Sequence, residues 1–339
     1  LDKLAADIEE TRPTVMVVVP RLFEVLRTRI QKGIEKQGGA AAWLMQRAMN
    51  LGKRAYYAGK VPMVDKPLDL VLDKTVRKKV GERFGGRLKA MVSGGAPLNP
   101  EVGLFFHSLG ITLLQGYGQT EAAPIVSCNR PRDTIKMHTV GPPLKGVEVK
   151  IADDGEILVA GELVMHGYWQ NDEETARVLK DGWLHTGDIG HIDEDGHIII
   201  TDRKKDLIVN DKGDNVAPQR VEGMLTLQPE ILQAMVTGDK RPYLVGLVVP
   251  DPEWAMEWAR DNGHPADMAQ LKGLPEFQRA ISAAVDRVNR TLNNIEKVRR
   301  TIIAESQFTV ENEQMTPSMK IRRHVIRKHY GERMDALYK

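Results

Sequence analysis

Gln115-Gly116-Tyr117-Gly118-Gln119-Thr120-Glu121 is the stretch on which the reading of this chain turns. Glycines at 116 and 118 allow the backbone to approach a ligand closely, or to take dihedrals that a Cβ forbids. Tyr117 offers a flat face for a base. Thr120 offers a hydroxyl at phosphate range, and Glu121 a hard carboxylate suited to Mg²⁺. The set points to a magnesium nucleotide held against a loop. The plainer reading is a Gly-rich turn between strand and helix with a solvated glutamate.

The surroundings of the loop follow α/β logic. Leu88 to Val92 reads as a short strand, and Ser93-Gly94-Gly95-Ala96-Pro97-Leu98 as a tight turn. Asn99-Pro100 is a helix start, with Asn as N-cap and Pro at the first helical position. Ile111 to Leu114 is a second strand that delivers the chain to Gln115. Loops at the carboxyl ends of such strands are where ligands sit in open α/β sheets. Further upstream, Thr14 to Val19 is an apolar run expected to be a buried, parallel strand. Helices are expected over Ala40 to Ala58 and Leu68 to Phe84.

From Val140 to Thr201 short alternating segments are separated by hairpin signals at Asp153-Asp154-Gly155 and Asp193-Glu194-Asp195-Gly196. This region reads as a small β-barrel or sandwich. Gly161 to Trp169 reads as a Gly-punctuated β segment, and Asp188 as lying between glycines at a strand end. From Asp202 an α+β unit begins, with a hairpin over Leu207 to Val216, a helix after Pro218, and a final basic helix near Ile321 to His329. The expected organisation is 1–202 as part of a large domain (1–135 α/β, 136–202 barrel-like) and 203–339 as a small second domain.

Composition narrows the classes. The 339 residues carry 48 basic and 46 acidic side chains, a net charge of +2, so no basic excess exists to grip a nucleic-acid backbone. The single cysteine, Cys128, excludes an intrachain disulfide and suits a reducing, cytoplasmic compartment. No stretch approaches the length of a membrane span. The basic last helix suggests contact with the inner membrane face, or simply a solvated surface. Leu1 to Glu10 reads as the middle of an amphipathic element, so the chain is expected to be the C-terminal part of a longer protein.

Four further motifs stand in order behind the first: Gly161-Glu162-Leu163 with Gly167-Tyr168-Trp169, Gly182 to Gly190 around Asp188, Asp202-Arg203-Lys204-Lys205-Asp206, and Thr316-Pro317-Ser318-Met319-Lys320. In this order and spacing the chain resembles the adenylate-forming superfamily from about Thr11 to Ile326. Val19-Pro20-Arg21 with Glu24, the helical stretch before the Ser93 turn, and Val216-Ala217-Pro218 most resemble long-chain fatty acyl-CoA ligases.

The resemblance implies roles. Gly94, Gly95, Ala96 and Pro97 would line the acyl and adenine site, with Gln115, Gly116 and Gly118 beside Tyr117, the adenine-stacking residue. Thr120 would contact phosphate and Glu121 would hold Mg²⁺. Asp188 would bind both ribose hydroxyls and Arg203 would reach the ribose. Lys205 would be the hinge and Lys320 the catalytic lysine. ATP or AMP, Mg²⁺, a fatty acid and coenzyme A are the implied ligands, with a carrier protein as alternative acceptor and a nucleotide-binding fragment without catalysis as the other alternative. Plainer roles exist for each: Asp188 as a turn cap, Arg203 as an ion pair at the joint, Lys320 as one charge of a basic helix face. Met319 stands where many relatives have Gly. The Ser/Thr/Gly-rich phosphate loop of these enzymes does not occur in the sequence, so slow adenylation by the chain alone is expected. His185, His191 and His197 alternate near the β region but match no zinc spacing, and are expected at the surface.

Overall fold

The computed structural model describes residues 3–35, 37–317 and 319–339. The chain divides into two compact units, Leu1–Ile200 and Thr201–Lys339. Ser318, part of the lysine-bearing motif, lies outside the described residues.

The first unit opens with α1 (Leu4–Thr11), β1 (Val15–Val18), α2 (Pro20–Glu35) and α3 (Gly39–Ala58), then α4 (Lys66–Leu72), which runs through a π turn into α5 (Lys78–Arg83). β2 (Ala90–Ser93), α6 (Pro100–Ser108), β3 (Leu113–Tyr117) and β4 (Ser127–Cys128) complete its first sheet. The order is β1-β2-β3-β4. β1, β2 and β3 run parallel, with Val17 opposite Val92 and Val92 opposite Leu114, and β4 is antiparallel to β3. α6 starts as its sequence dictates: the Asn99 side chain accepts from the Glu101 amide, and Pro100 fills the first turn. Its Val102, Leu104, Phe105 and Phe106 are all buried, so the helix is apolar around its circumference and lies in the core.

β1 is parallel as expected but not buried. Val15 is 54% and Val17 77% exposed. Side chains alternate across a strand, and the face bearing these valines has no covering layer among the described residues.

The second sheet of this unit contains β5 (Glu148–Ile151), β6 (Glu156–Ala160), β7 (Leu179–Lys180), β8 (Trp183–Ile192) and β9 (Ile198–Arg203), with α7 (Asp172–Val178) between β6 and β7. The order is β5-β6-β8-β7, and β9 also pairs with β8. No pairing joins the outer strands among the described residues, so the expected barrel is instead an open sheet. Closure needs matched tilt and stagger around a full circle, and β7, only two residues long, extends neither. The Gly161 to Trp169 stretch is irregular loop rather than β structure. β8 continues past Asp188, which lies within the strand and not at its end.

The second unit begins with the antiparallel hairpin of β10 (Ile208–Val209) and β11 (Asn215–Val216), followed by α8 (Pro218–Leu225), β12 (Ile231–Thr237) and β13 (Leu244–Pro250). α9 (Pro252–Asp261), α10 (Met268–Leu271), α11 (Pro275–Asn289), β14 (Val298–Ile303) and α12 (Arg323–Asp335) complete it. The sheet order is β12-β13-β14, antiparallel then parallel. Every residue of β13 is buried. Leu244 and Val248 pack with Phe277, Ile281 and Val285 on one face, and Val245, Leu247 and Val249 with Phe308, Ile326 and Tyr330 on the other. A strand covered on both faces explains the unbroken apolar run.

Candidate adenylate site

β2 and β3 end side by side. An added Cβ on Gly94 would stand 3.7 Å from the Gly116 carbonyl oxygen, so the two expected ligand loops are neighbours. Gly94 donates its amide to Val18 O at 3.2 Å. Gly95 has φ +81°, a conformation that favours glycine, and Gly95, Ala96 and Pro97 are exposed.

Along β3, Gln115 is buried and its Nε2 donates to Met137 O at 2.6 Å, which makes it a strut of the loop. Gly116 pairs with Cys128. Gly118 is required for a reason other than ligand approach: a Cβ there would lie 1.6 Å from Pro124 O, because the chain turns straight back on itself. Tyr117 is 8% exposed, and its ring packs with Ala122, Val126, Ile157, Val159, Leu184 and Ile198. Its hydroxyl donates to Asp188 Oδ2 at 2.7 Å. The structure thus brings Tyr117 and Asp188 together, through the hydroxyl rather than the ring face.

Thr120 opens a short 3₁₀ turn and is exposed. Glu121 follows, clamped twice by the loop before α7: Met165 N donates to its carbonyl oxygen at 2.8 Å, and the Tyr168 hydroxyl donates to its Oε1 at 2.8 Å. Tyr168 is itself held by its amide, which donates to Thr175 Oγ1 at 2.9 Å. Burial, then the adjoining Glu121 carboxylate, pushes the Tyr168 phenol up to about 12. It therefore stays a donor across neutral pH.

Asp188 is 4% exposed and shares the buried face of β8 with Leu184 and Thr186. Its amide donates to Thr186 Oγ1 at 3.1 Å, and Thr186 Oγ1 donates to Ile157 O at 2.7 Å. The preceding residue, Gly187, has φ +71° and donates its amide to Glu156 Oε1 at 2.8 Å. His185 Nδ1 lies 3.2 Å from Glu156 Oε2. His197 is buried, its Nδ1 3.2 Å from Thr139 Oγ1. His197 is thus not at the surface as expected, whereas His185 is partly exposed on the face of β8 opposite Leu184, Thr186 and Asp188, and His191 is exposed. Cys128 is half-buried, and burial pushes its thiol up, away from nucleophilic use.

Tyr168 and Glu156 escaped assignment from the sequence. Tyr168 stands in a quoted motif, but its partner lies 47 residues away. Glu156 had one signal, an acidic residue entering an apolar strand directly after a hairpin turn.

In the second unit Arg203 ends β9 and accepts at its carbonyl oxygen from the Asp206 and Leu207 amides, which makes the turn bearing the exposed Lys205. The Lys320 amide donates to Thr316 Oγ1 at 3.1 Å, and its carbonyl accepts from Thr316 N at 2.8 Å. Met319 completes this turn at φ +63°. Three residues on, Arg323 makes a two-pronged ion pair with Glu222, Nη1 to Oε1 at 2.8 Å and Nη2 to Oε2 at 2.6 Å. Beside it Asp202 is 3% exposed and its Oδ2 has no hydrogen-bond partner among the described residues.

No group of three or more His, Cys, Asp or Glu gathers into a metal cage among the described residues. One carboxylate, Glu121, fits the hard oxygen donor that Mg²⁺ takes from a protein when nucleotide phosphates supply the rest.

The chain matches the AMP-binding enzyme family over residues 1–169 and the AMP-binding enzyme C-terminal domain over residues 205–339. It belongs to the AMP-binding enzyme family. It is 36% identical over 331 residues to the long-chain-fatty-acid–CoA ligase FadD15 of Mycobacterium bovis, covering 96% of this chain and 55% of that one. It is 32% identical to the peroxisomal long chain acyl-CoA synthetase 7 of Arabidopsis thaliana, covering 99% of this chain and 50% of the relative. Among solved structures, the adenylation domain of a carboxylate reductase from Mycobacterium chelonae superposes with a TM-score of 0.75 at 27% identity, over 100% of this chain and 48% of that one. The chain therefore spans about half the length of the relatives it matches.

Proposed function

We propose that this chain forms part of an enzyme that joins a long-chain fatty acid to AMP and passes the acyl group to coenzyme A. The observation that carries the reading is the pairing of Tyr117 with Asp188 beside the clamped Glu121. In this reading the ribose-binding carboxylate meets one end of a short loop, at Tyr117, and the metal-binding one stands at its other end, Glu121. The names of the relatives support the acid and the acceptor.

In this reading Asp188 accepts from the ribose hydroxyls, a task suited to a carboxylate, whose two oxygens offer several acceptor sites. Thr120 contacts phosphate. Mg²⁺ on Glu121 would draw the phosphates together and ease departure of pyrophosphate. Attack of the fatty carboxylate on the α-phosphorus builds negative charge, which the Lys320 ammonium offsets. Thiol attack on the acyl-adenylate needs no such cation. A turn of the second unit about Lys205 then lets one site serve both steps. Arg203, next to that hinge, reaches the ribose.

Fatty-acid-dependent exchange between ATP and pyrophosphate tests the first step. Lys320→Met is expected to slow it by about 10²-fold with AMP binding intact. Exchange that is indifferent to both the fatty acid and Lys320 would remove the proposal. Transfer of the acyl group to a carrier-protein thiol instead of coenzyme A is separated by assaying thioester formation with each acceptor.

A further inference from the structure

Asp188 owes its aim to a local irregularity. β6 and β8 pair Glu156 with Ile189 but Leu158 with His185, so β8 accommodates extra residues opposite β6. Such a bulge bends the strand and redirects a side chain. It also frees a backbone amide from the ladder. Here that amide belongs to Gly187, whose φ of +71° turns it out of strand geometry. The Glu156 carboxylate replaces the missing ladder acceptor, at 2.8 Å. Glu156 is 6% exposed, and His185 stands against its other oxygen. A buried carboxylate at such a place is costly unless its bonds are made. The Tyr117 hydroxyl in turn holds Asp188 Oδ2.

We propose that Glu156, through the Gly187 amide, and the Tyr117 hydroxyl are positioning residues that aim Asp188 at the ribose and so set the preference of the site for ribonucleotides. The proposal rests on the ribose-binding role of Asp188 given above. One arm holds the backbone that carries Asp188 and the other its carboxylate, so the orientation is set by both and not by the Asp188 rotamer alone.

Calorimetric titration of the protein with AMP and with 2′-deoxy-AMP tests it, alongside thermal melting of each variant. Wild-type protein is expected to prefer AMP. Tyr117→Phe keeps the ring and removes only the hydroxyl, and Glu156→Ala removes the acceptor. Each is expected to cut the AMP preference at least about threefold, chiefly by weakening AMP. Glu156→Gln, whose amide oxygen can accept from Gly187, is expected to restore the preference to within about twofold. Asp188→Ala is expected to abolish it. If Asp188→Ala abolishes the preference while Tyr117→Phe and Glu156→Ala keep the wild-type ratio, the positioning role is wrong and the ribose role stands. If Asp188→Ala also keeps the ratio, the ribose role fails and the positioning role with it. Should Glu156→Ala not fold, the Tyr117→Phe ratio decides alone.

Discussion

The Tyr168 hydroxyl and the Glu121 carboxylate meet at 2.8 Å, joining the first sheet's last loop to the loop before α7. The phenol, at about 12, does not ionise at neutral pH and so keeps donating. A hydrogen bond to a charged group contributes about 1.5–3 kcal/mol. Part of that fixes the rotamer with which Glu121 would meet Mg²⁺. Tyr168→Phe is therefore expected to raise the Mg²⁺ concentration needed for ATP binding by about threefold to tenfold. Binding of AMP without metal is expected to stay as in wild type. Equal Mg²⁺ dependence of the two proteins would show that the bond does not serve the metal.

Gly118 and Gly116 separate two reasons for glycine. A Cβ on Gly118 would fall 1.6 Å from the Pro124 carbonyl oxygen, and backbone cannot yield as a side-chain tip can. A Cβ on Gly116 would meet Ser127 O at 3.4 Å, an ordinary contact. Gly118→Ala is expected to cost more than about 2 kcal/mol of stability, and Gly116→Ala less than about 1 kcal/mol. Denaturant unfolding of the two variants measures both. Equal, small effects would mean that the turn after Tyr117 has room the structure denies it.

The contrast between these glycines shows which features were legible before folding. Asn99 with Pro100 encodes a helix start within a few residues, and β13 declares its double cover by composition. Such signals are local. The openness of the second sheet depends on whether distant strands pair, and no strand carries that information alone. The β8 bulge exists only relative to the register of β6. Likewise Tyr168 meets Glu121, and Tyr117 meets Asp188, across 47 and 71 residues. Tyr117, Asp188 and Glu121 could be named from their motifs. The groups that hold them belong to the fold, and sequence spacing does not reveal them.

Met319 holds a conformation that glycine accepts more readily. At φ +63° its Cβ crowds the neighbouring carbonyl, a cost of about 1–2 kcal/mol. Glycine would remove that cost but lose more freedom on folding, by about 0.5–1 kcal/mol. The side chain is 40% exposed and contributes little packing. Met319→Gly is expected to stabilise the protein by up to about 1 kcal/mol. An increase in the stability of the second unit, read by denaturant titration, checks the sign. A loss of stability would show that Met319 packs in a way its exposure does not reveal.

Asp202 couples the stability of the second unit to pH. Burial raises its carboxyl to about 6, against the pull of the Arg203 amide and the Arg323 charge, while Asp206 and Glu222 push the same way as burial. The folded form therefore holds its proton more tightly than the unfolded chain, whose value is the ordinary one near 3.8. Below that ordinary value both states are protonated and the group contributes nothing. As pH rises from about 4 to about 6 the unfolded chain releases the proton first, so stability falls across that window and is level above it. The loss is on the order of 1–3 kcal/mol. Asp202→Asn carries no charge to bury and is also spared the repulsion of Asp206 and Glu222. Urea midpoints are expected to coincide for the two proteins near pH 4 and to favour Asp202→Asn from pH 6 upward. Parallel pH profiles would place the titration elsewhere in the molecule.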